Sequence, residues 1–348
     1  MFEKIFGKEE YLCPFCFGTM LLGETSPSKC PRCSHDLPYG MEGIGNAVIA
    51  IVGPKAVGKS QYITVLVDYL MNEFSNEFDI AMTALTEETM KKHGANRGRH
   101  ARMEVVEETQ SNTVVANEPF VYKLERGRKK IALVFYDTAG EDFEDPNVMV
   151  DTRISKYLGM AAGIIYLIDP LQMSHVRDII QDHEGVFERK TLPSIPGNKP
   201  NLAKDVLDRI ILEIRKVQGN PKKKINTKLA VVLSKCDVIC RNSEDKYSKT
   251  ESDIIFGLNS IVYKGRERGE YDKDNIMLIN KAVQDYLKRN QEVQLVKTVE
   301  QTFSEHCFFI TSALGQNPEG GKLSHNVVPF RIEDSIIWLL KNTGSGLV

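Results

Sequence analysis

The sequence predicts an α/β protein in which a doubly wound, mostly parallel sheet carries helical insertions and is preceded by a small cysteine-paired segment. Three observations point to it. Residues 47–52, 131–136, 163–168, 229–233 and 307–310 are short, nearly continuous apolar runs, as expected of strands covered on both faces. Helical periodicity falls between them: Val206, Ile210 and Ile214 share one face before the fourth run, and Val296, Val299 and Phe303 do so before the fifth. Gly53 to Ser60 fits GxxxxGK[ST] at the junction of the first strand and the helix that follows.

In chain order, residues 1–38 are loop-rich with paired cysteines, 39–46 read as a linker, and 47–345 as one α/β domain. Residues 120–124 are expected to form an edge strand. Two stretches, about 75–112 and 238–304, exceed what a connection needs and read as charged, helix-compatible insertions on the ligand-facing edge of the sheet. The 45 basic and 47 acidic residues leave a formal charge of −2, so no global field draws the chain to nucleic acid or anionic membrane. A hydrophobic content of 42% is ample for a buried core. The opening residues lack an apolar core of signal-peptide length, and no run of about 18 apolar residues occurs. The expectation is a cytoplasmic protein with no membrane span.

The loop Gly53-Pro54-Lys55-Ala56-Val57-Gly58-Lys59-Ser60, with Gln61 following, is built to cradle phosphate. Its glycines let backbone amides converge on a β-phosphate, and the helix behind adds its positive end. Lys59 bridges β and γ oxygens, and Ser60 offers a hydroxyl to Mg2+. Asp137-Thr138-Ala139-Gly140-Glu141 follows the second long strand, at the carboxyl end where open sheets place ligands. There Asp137 can hold a Mg2+-bound water, and the Gly140 amide can donate to a γ-phosphate, which orders the loop only in the triphosphate state.

With these two motifs in place, the chain resembles the translation-factor-related GTPases, and Asp137 to Asp142 looks like the corresponding stretch of Ras-like and Rab-like small GTPases. The resemblance implies GTP and GDP as ligands, Mg2+ as cofactor and hydrolysis as the reaction. That family has glutamine where this chain has Glu141. An ionised glutamate cannot donate a hydrogen bond and repels γ-phosphate oxygens, so hydrolysis is expected to be slow unless Glu141 is protonated or a partner contributes. A solvated, non-catalytic Glu141 is the equal alternative.

Ser234-Lys235-Cys236-Asp237, at the end of the fourth long strand, resembles the family's guanine-reading motif. Asp237 can accept from the guanine N1 and N2 donors, a pattern adenine does not offer, while the Lys235 stem packs over the purine. Serine at the first position keeps a hydroxyl but loses the usual amide. Ser312-Ala313, after Thr311, is similar to the loop whose backbone amide reads the guanine oxygen. The threonine that closes on Mg2+ in the family falls on Thr113, with Thr109 as second choice. The basic segment from Lys91 to Arg102 either brings an arginine such as Arg102 near the phosphates or is a solvated helix face.

Cys13-Pro14-Phe15-Cys16 and Cys30-Pro31-Arg32-Cys33 form two CPxC knuckles with 13 residues between Cys16 and Cys30. Four thiolates close a tetrahedral Zn2+ site with no open position, so the metal is structural and supplies folding energy to a segment too small to fold alone. His35 is read as a bystander, and Cys236, Cys240 and Cys307 as thiols in or beside strands.

The expected function is a GTP-dependent switch for a protein effector or activator, with a nucleotide-dependent dimer as one source of catalytic groups. The layout of zinc ribbon, GTPase domain and long insertions also resembles GTPases of bacterial conflict or defence operons. Two alternatives stand beside it: a nucleic-acid-binding ribbon on a degenerate nucleotide scaffold, for which Lys222–Lys224, 126–130 and 91–102 are the basic stretches, and an ATPase in which Asp237 does not face the base. The basic stretches lack interleaved aromatics, which favours a protein partner.

Overall fold

The structure is a computed structural model that describes residues 10–21, 28–39, 45–106, 118–136, 152–177, 201–219, 223–237, 239, 269–344 and 346–348. A two-stranded antiparallel ribbon, β1 (Glu10–Leu12) and β2 (Thr19–Leu21), precedes a seven-stranded sheet. The sheet strands are β3 (Gly45–Val52), β4 (Ala81–Ala84), β5 (Phe120–Arg126), β6 (Lys129–Phe135), β7 (Gly163–Ile168), β8 (Lys228–Leu233) and β9 (His306–Ile310). Their order is β4-β5-β6-β3-β7-β8-β9. The five strands from β6 to β9 run parallel and coincide with the five apolar runs of the sequence.

The helices are α1 (Lys59–Tyr69), α2 (Glu87–Ala101), α3 (Thr152–Met160), α4 (Leu202–Gln218), α5 (Lys273–Arg289), α6 (Val293–Thr302) and α7 (Asp334–Asn342). Alternate strand residues face opposite layers. Val48, Ala50 and Val52 join the core under α3, α4, α5 and α6, whereas Ile49 and Ile51 join the core under α1 and α7. Burial on both faces is what an uninterrupted apolar run demands, because neither side of such a strand has a polar residue to offer water. The chain leaves β3 toward β6 on one side and reaches β7 on the other, so the strand order reverses at β3. An open α/β sheet binds ligand in the crevice at such a point.

Four sequence expectations need correction. The strand at 120–124 is not an edge: β5 lies between β4 and β6, and β4 takes the edge. β4 lies inside the stretch 75–112 that reads as helical insertion; four residues, Ala81 to Ala84, are too few to show a period. The first strand starts at Gly45, inside the expected linker, because Gly45 and Asn46 already pair with Ile131 and Ala132. In the stretch 238–304, α5 packs beside β9 and α6 joins the same core layer, so these helices cover a face of the sheet rather than its ligand edge.

Candidate functional site

The phosphate loop leaves β3 and enters α1, and its shape is fixed by contacts at both ends. A Cβ on Gly53 would stand 2.5 Å from the Leu167 carbonyl of β7, so only glycine lets the loop pass this close to the neighbouring strand. Gly58 has φ 92°, a conformation that costs an L side chain strain, and it gives way directly to α1. Lys59 is buried, and its Nζ donates to the Gly53 and Pro54 carbonyls at 3.0 Å each. The ammonium therefore sits inside the loop it serves.

Three consecutive carbonyls of the loop are tied to side chains from elsewhere. Gln172 Nε2 donates to Lys55 O at 2.7 Å, Lys235 Nζ to Ala56 O at 2.7 Å, and Ser234 Oγ to Val57 O at 3.2 Å. A peptide's N–H points opposite its C=O, so tying these carbonyls turns the amides of Ala56, Val57 and Gly58 the other way, as an anion-binding nest requires.

Two of the residues expected to read the base, Ser234 and Lys235, converge on the same loop. Ser234 also donates to Ile168 O at 2.9 Å, which makes it a brace between β7, β8 and the loop. Lys235 spans from the loop to Asp169, with Nζ 2.6 Å from the buried Asp169 Oδ2. Asp169 also accepts from the Leu171 amide at 2.8 Å and so caps the 3-10 turn Pro170–Gln172 that delivers Gln172. At the far end Ser312 Oγ donates to Asp237 Oδ1 at 2.6 Å and accepts from the Gly315 amide at 2.9 Å. Ala313 follows in the same loop, which is clamped by reciprocal backbone bonds between Ser312 and Phe330 at 3.0 and 2.8 Å.

Gln61 faces away from the phosphate loop. Its amide donates to Val106 O at 3.0 Å and its oxygen meets His100 Nε2 at 2.9 Å, which ties α1 to the end of α2. Arg102 is largely exposed and pairs with Glu104 at 3.3 Å, the solvated arrangement. Asp137, Gly140, Glu141, Thr113 and Thr109 lie outside the described residues; Tyr136, immediately before Asp137, is buried. Sequence reasoning missed Asp169 and Gln172. An Asp-Pro pair directly after a strand, an N-cap with proline at N1, was the available signal.

The four cysteines of the two knuckles come together. Cys13 and Cys33 Sγ are 3.7 Å apart, Cys16 and Cys30 Sγ are 3.8 Å apart, and all four sulfurs lie within 4.8 Å of one another. A tetrahedron with metal–sulfur bonds of about 2.3 Å has edges of about 3.8 Å, so the donor set fits Zn2+. The knuckles are alike: Phe17 N bonds Cys13 O and Ser34 N bonds Cys30 O, each at 2.9 Å, with Phe17 and Ser34 in the left-handed region. Burial raises the Cys13 and Cys16 thiols above the usual range. At Cys30 burial is outweighed by the amides of Arg32 and Cys33, which pull the thiol down to about 7. His35 stands outside the cluster and stacks on Phe15 at 4.8 Å.

With this geometry in place, comparison with known proteins is decisive at the level of family. The model of the Double-GTPase 2 family matches residues 47–298. The chain belongs to the Double-GTPase 2 family. It is a P-loop GTPase-type protein with an N-terminal cysteine ribbon, and nucleotide binding and hydrolysis are the functions of its class. The match ends in α6, while the sheet continues to β9 and the helical layer to α7.

Over 346 residues the chain is 27% identical to a Mycolicibacterium smegmatis protein named as a candidate ESX-1 scaffolding and assembly protein, SaeC, covering 95% of this chain and 84% of the relative. Among solved structures it is similar to the GTP-bound GTPase-like domain of Saccharomyces cerevisiae Ski7, at 14% identity and TM-score 0.35, over 86% of this chain and 50% of that one. It is also similar to a chain of the Chaetomium thermophilum signal recognition particle receptor SRb-GTP/SRX complex, at 13% identity and TM-score 0.31, over 79% and 94%. Among the described residues no helix is long and apolar enough to cross a membrane.

Proposed function

We propose that this protein is a guanine-specific switch that binds GTP with Mg2+, hydrolyses it slowly to GDP and phosphate, and changes its affinity for a protein partner as it does so. The observation that carries this reading is the linkage of base and phosphate ends: Lys235 reaches the Ala56 carbonyl while Ser312 holds Asp237 two residues further on. Ser312 donates to one carboxylate oxygen and thereby fixes the rotation of the group that would accept from guanine N1 and N2. An adenine in the same place would meet a carboxylate with no matching donors.

In this reading Lys59 neutralises β and γ oxygens, Ser60 and Thr113 ligate Mg2+, and Asp137 holds a Mg2+-bound water. Gly140 senses the γ-phosphate and Glu141 stands beside the attacking water. Residues 1–38 act as a zinc ribbon, joined by a short linker to a GTPase domain whose first strand starts at Gly45. A protein partner fits the assembly role in the name of the mycobacterial relative and the near-neutral charge of the chain. Phosphate release from GTP in Mg2+ tests the reaction: wild type turns over slowly, and Lys59→Ala falls by at least about 100-fold, the loss typical of removing one preorganised electrostatic contact. Equal release by both proteins would contradict it.

A further inference from the structure

Where the β3–β6 ladder ends, a side chain takes its place. β3 and β6 pair in parallel up to Val48 opposite Val134. Continuing that register, Ala50 would face Tyr136, and the next two bonds would run from Tyr136 N to Ile49 O and from Ile51 N to Tyr136 O. The hydroxyl of Tyr157, from α3, occupies that rung instead. It donates to Ile49 O at 2.8 Å and accepts from Tyr136 N at 3.0 Å and Ile51 N at 3.2 Å. One proton and two lone pairs are all that a hydroxyl has, and all are used.

The position of this rung gives it meaning. Tyr136 immediately precedes Asp137, and Ile51 lies two residues before Gly53, so the phenol sets the distance between the strand ends that deliver the phosphate loop and the Asp137 loop. Its ring is wholly buried and is held from the other side by the N-terminal ribbon. Phe17, the residue after the first cysteine knuckle, packs 5.1 Å from the Tyr157 ring and 6.3 Å from the Tyr136 ring, and those two rings are 5.5 Å apart. Phe17 is itself fixed by the knuckle bond from its amide to Cys13 O at 2.9 Å.

We propose that Tyr157 is a positioning residue for the nucleotide site, a spacer that sets the distance between Ile51, at the end of β3, and Tyr136, at the end of β6, and that the cysteine ribbon seats this spacer through Phe17. The proposal rests on the reading of Asp137 and Gly140 as γ-phosphate and Mg2+ contacts, given under Proposed function. If the spacer is lost, either the strands zip together or Ile49 O, Ile51 N and Tyr136 N lose the hydroxyl that joins them. Both outcomes shift Tyr136, from which the proposed γ-phosphate contacts of Asp137 and Gly140 follow in sequence, so GTP is expected to suffer more than GDP.

The test measures GTP and GDP affinity, melting temperature and zinc content for wild type, Tyr157→Phe and Phe17→Leu. Tyr157→Phe keeps the ring and removes the bridge; the expected result is about tenfold weaker GTP binding with GDP changed by less than about twofold. Phe17→Leu keeps apolar volume and is expected to lower the GTP:GDP affinity ratio in the same direction, by about threefold, with zinc retained. A folded Tyr157→Phe protein with the wild-type ratio overturns the spacer. A Phe17→Leu protein with the wild-type ratio overturns its link to the ribbon, and decides alone if Tyr157→Phe does not fold. Wild type that binds neither nucleotide would remove the reading of the site itself, a result distinguishable from both.

Discussion

Replacing Cys30 by serine removes one of four sulfurs from a site in which two sulfur–sulfur edges, 3.7 and 3.8 Å, match a zinc–thiolate tetrahedron. The consequences follow from what the ribbon buries. Among the described residues its own core contains Phe15, Met20 and the cysteines, with Leu37 at the margin, too little to hold two knuckles without metal. Leu12 and Phe17 instead enter the main core beneath β3 and α3, where they are 2% and 3% exposed. Releasing the ribbon returns both side chains to water at about 1.5 to 3 kcal/mol each, so roughly 3 to 6 kcal/mol of stability is lost. For a unit of this size that corresponds to a fall of roughly 5 to 10 °C in melting temperature. Calorimetry with metal analysis by atomic emission reads both quantities: about one zinc per wild-type chain is expected, with metal lost and melting lowered in Cys30→Ser. Wild type purified without metal, or a Cys30→Ser variant that melts with wild type, would refute the reasoning.

Other changes have equally definite outcomes. Asp237→Asn replaces a charged acceptor with an amide that still accepts from Ser312, so folding is kept while the two charge-assisted bonds to guanine proposed for Asp237 are lost; GTP binding is expected to weaken by at least about 100-fold, checked by titration calorimetry. Gly58→Ala meets nothing closer than Lys235 Cε at 3.8 Å, so its cost is conformational, about 1 to 2 kcal/mol from forcing alanine to φ 92°, read by chemical denaturation. Burial lowers the His93 pKa despite Asp68 at 3.4 Å, with Arg97 opposing protonation as well. The unfolded chain therefore takes up this proton first as the pH falls through about 6.5. Stability is full above that value and declines below it, and His93→Gln is expected to flatten the melting temperature between pH 5 and 7.

The parallel half of the sheet was legible because each of its strands is buried on both faces and must be apolar throughout. The phosphate loop, the Asp237 motif and the cysteine knuckles were legible because their chemistry fixes residue types at short spacing. What escaped the sequence depends on contacts across long separations. Nothing near Tyr157 announces that its hydroxyl will bridge Ile49, Ile51 and Tyr136, or that Phe17 will pack on it from 140 positions away. β4 escaped because its residues alternate between exposed and half-buried over only four positions, so pairing with β5 rather than periodicity makes it a strand. Gln172 escaped because its side chain acts on the Lys55 carbonyl, a role any long donor fills.

The proposed guanine recognition, linked to the phosphate loop, is tested most directly by calorimetric titration of zinc-loaded protein with GTP, GDP and ATP in Mg2+. The expected result is saturable binding of GTP and GDP with ATP weaker by at least about 100-fold, the discrimination proposed for Asp237. Equal binding of ATP and GTP, or no heat from any nucleotide with folded protein, would contradict it.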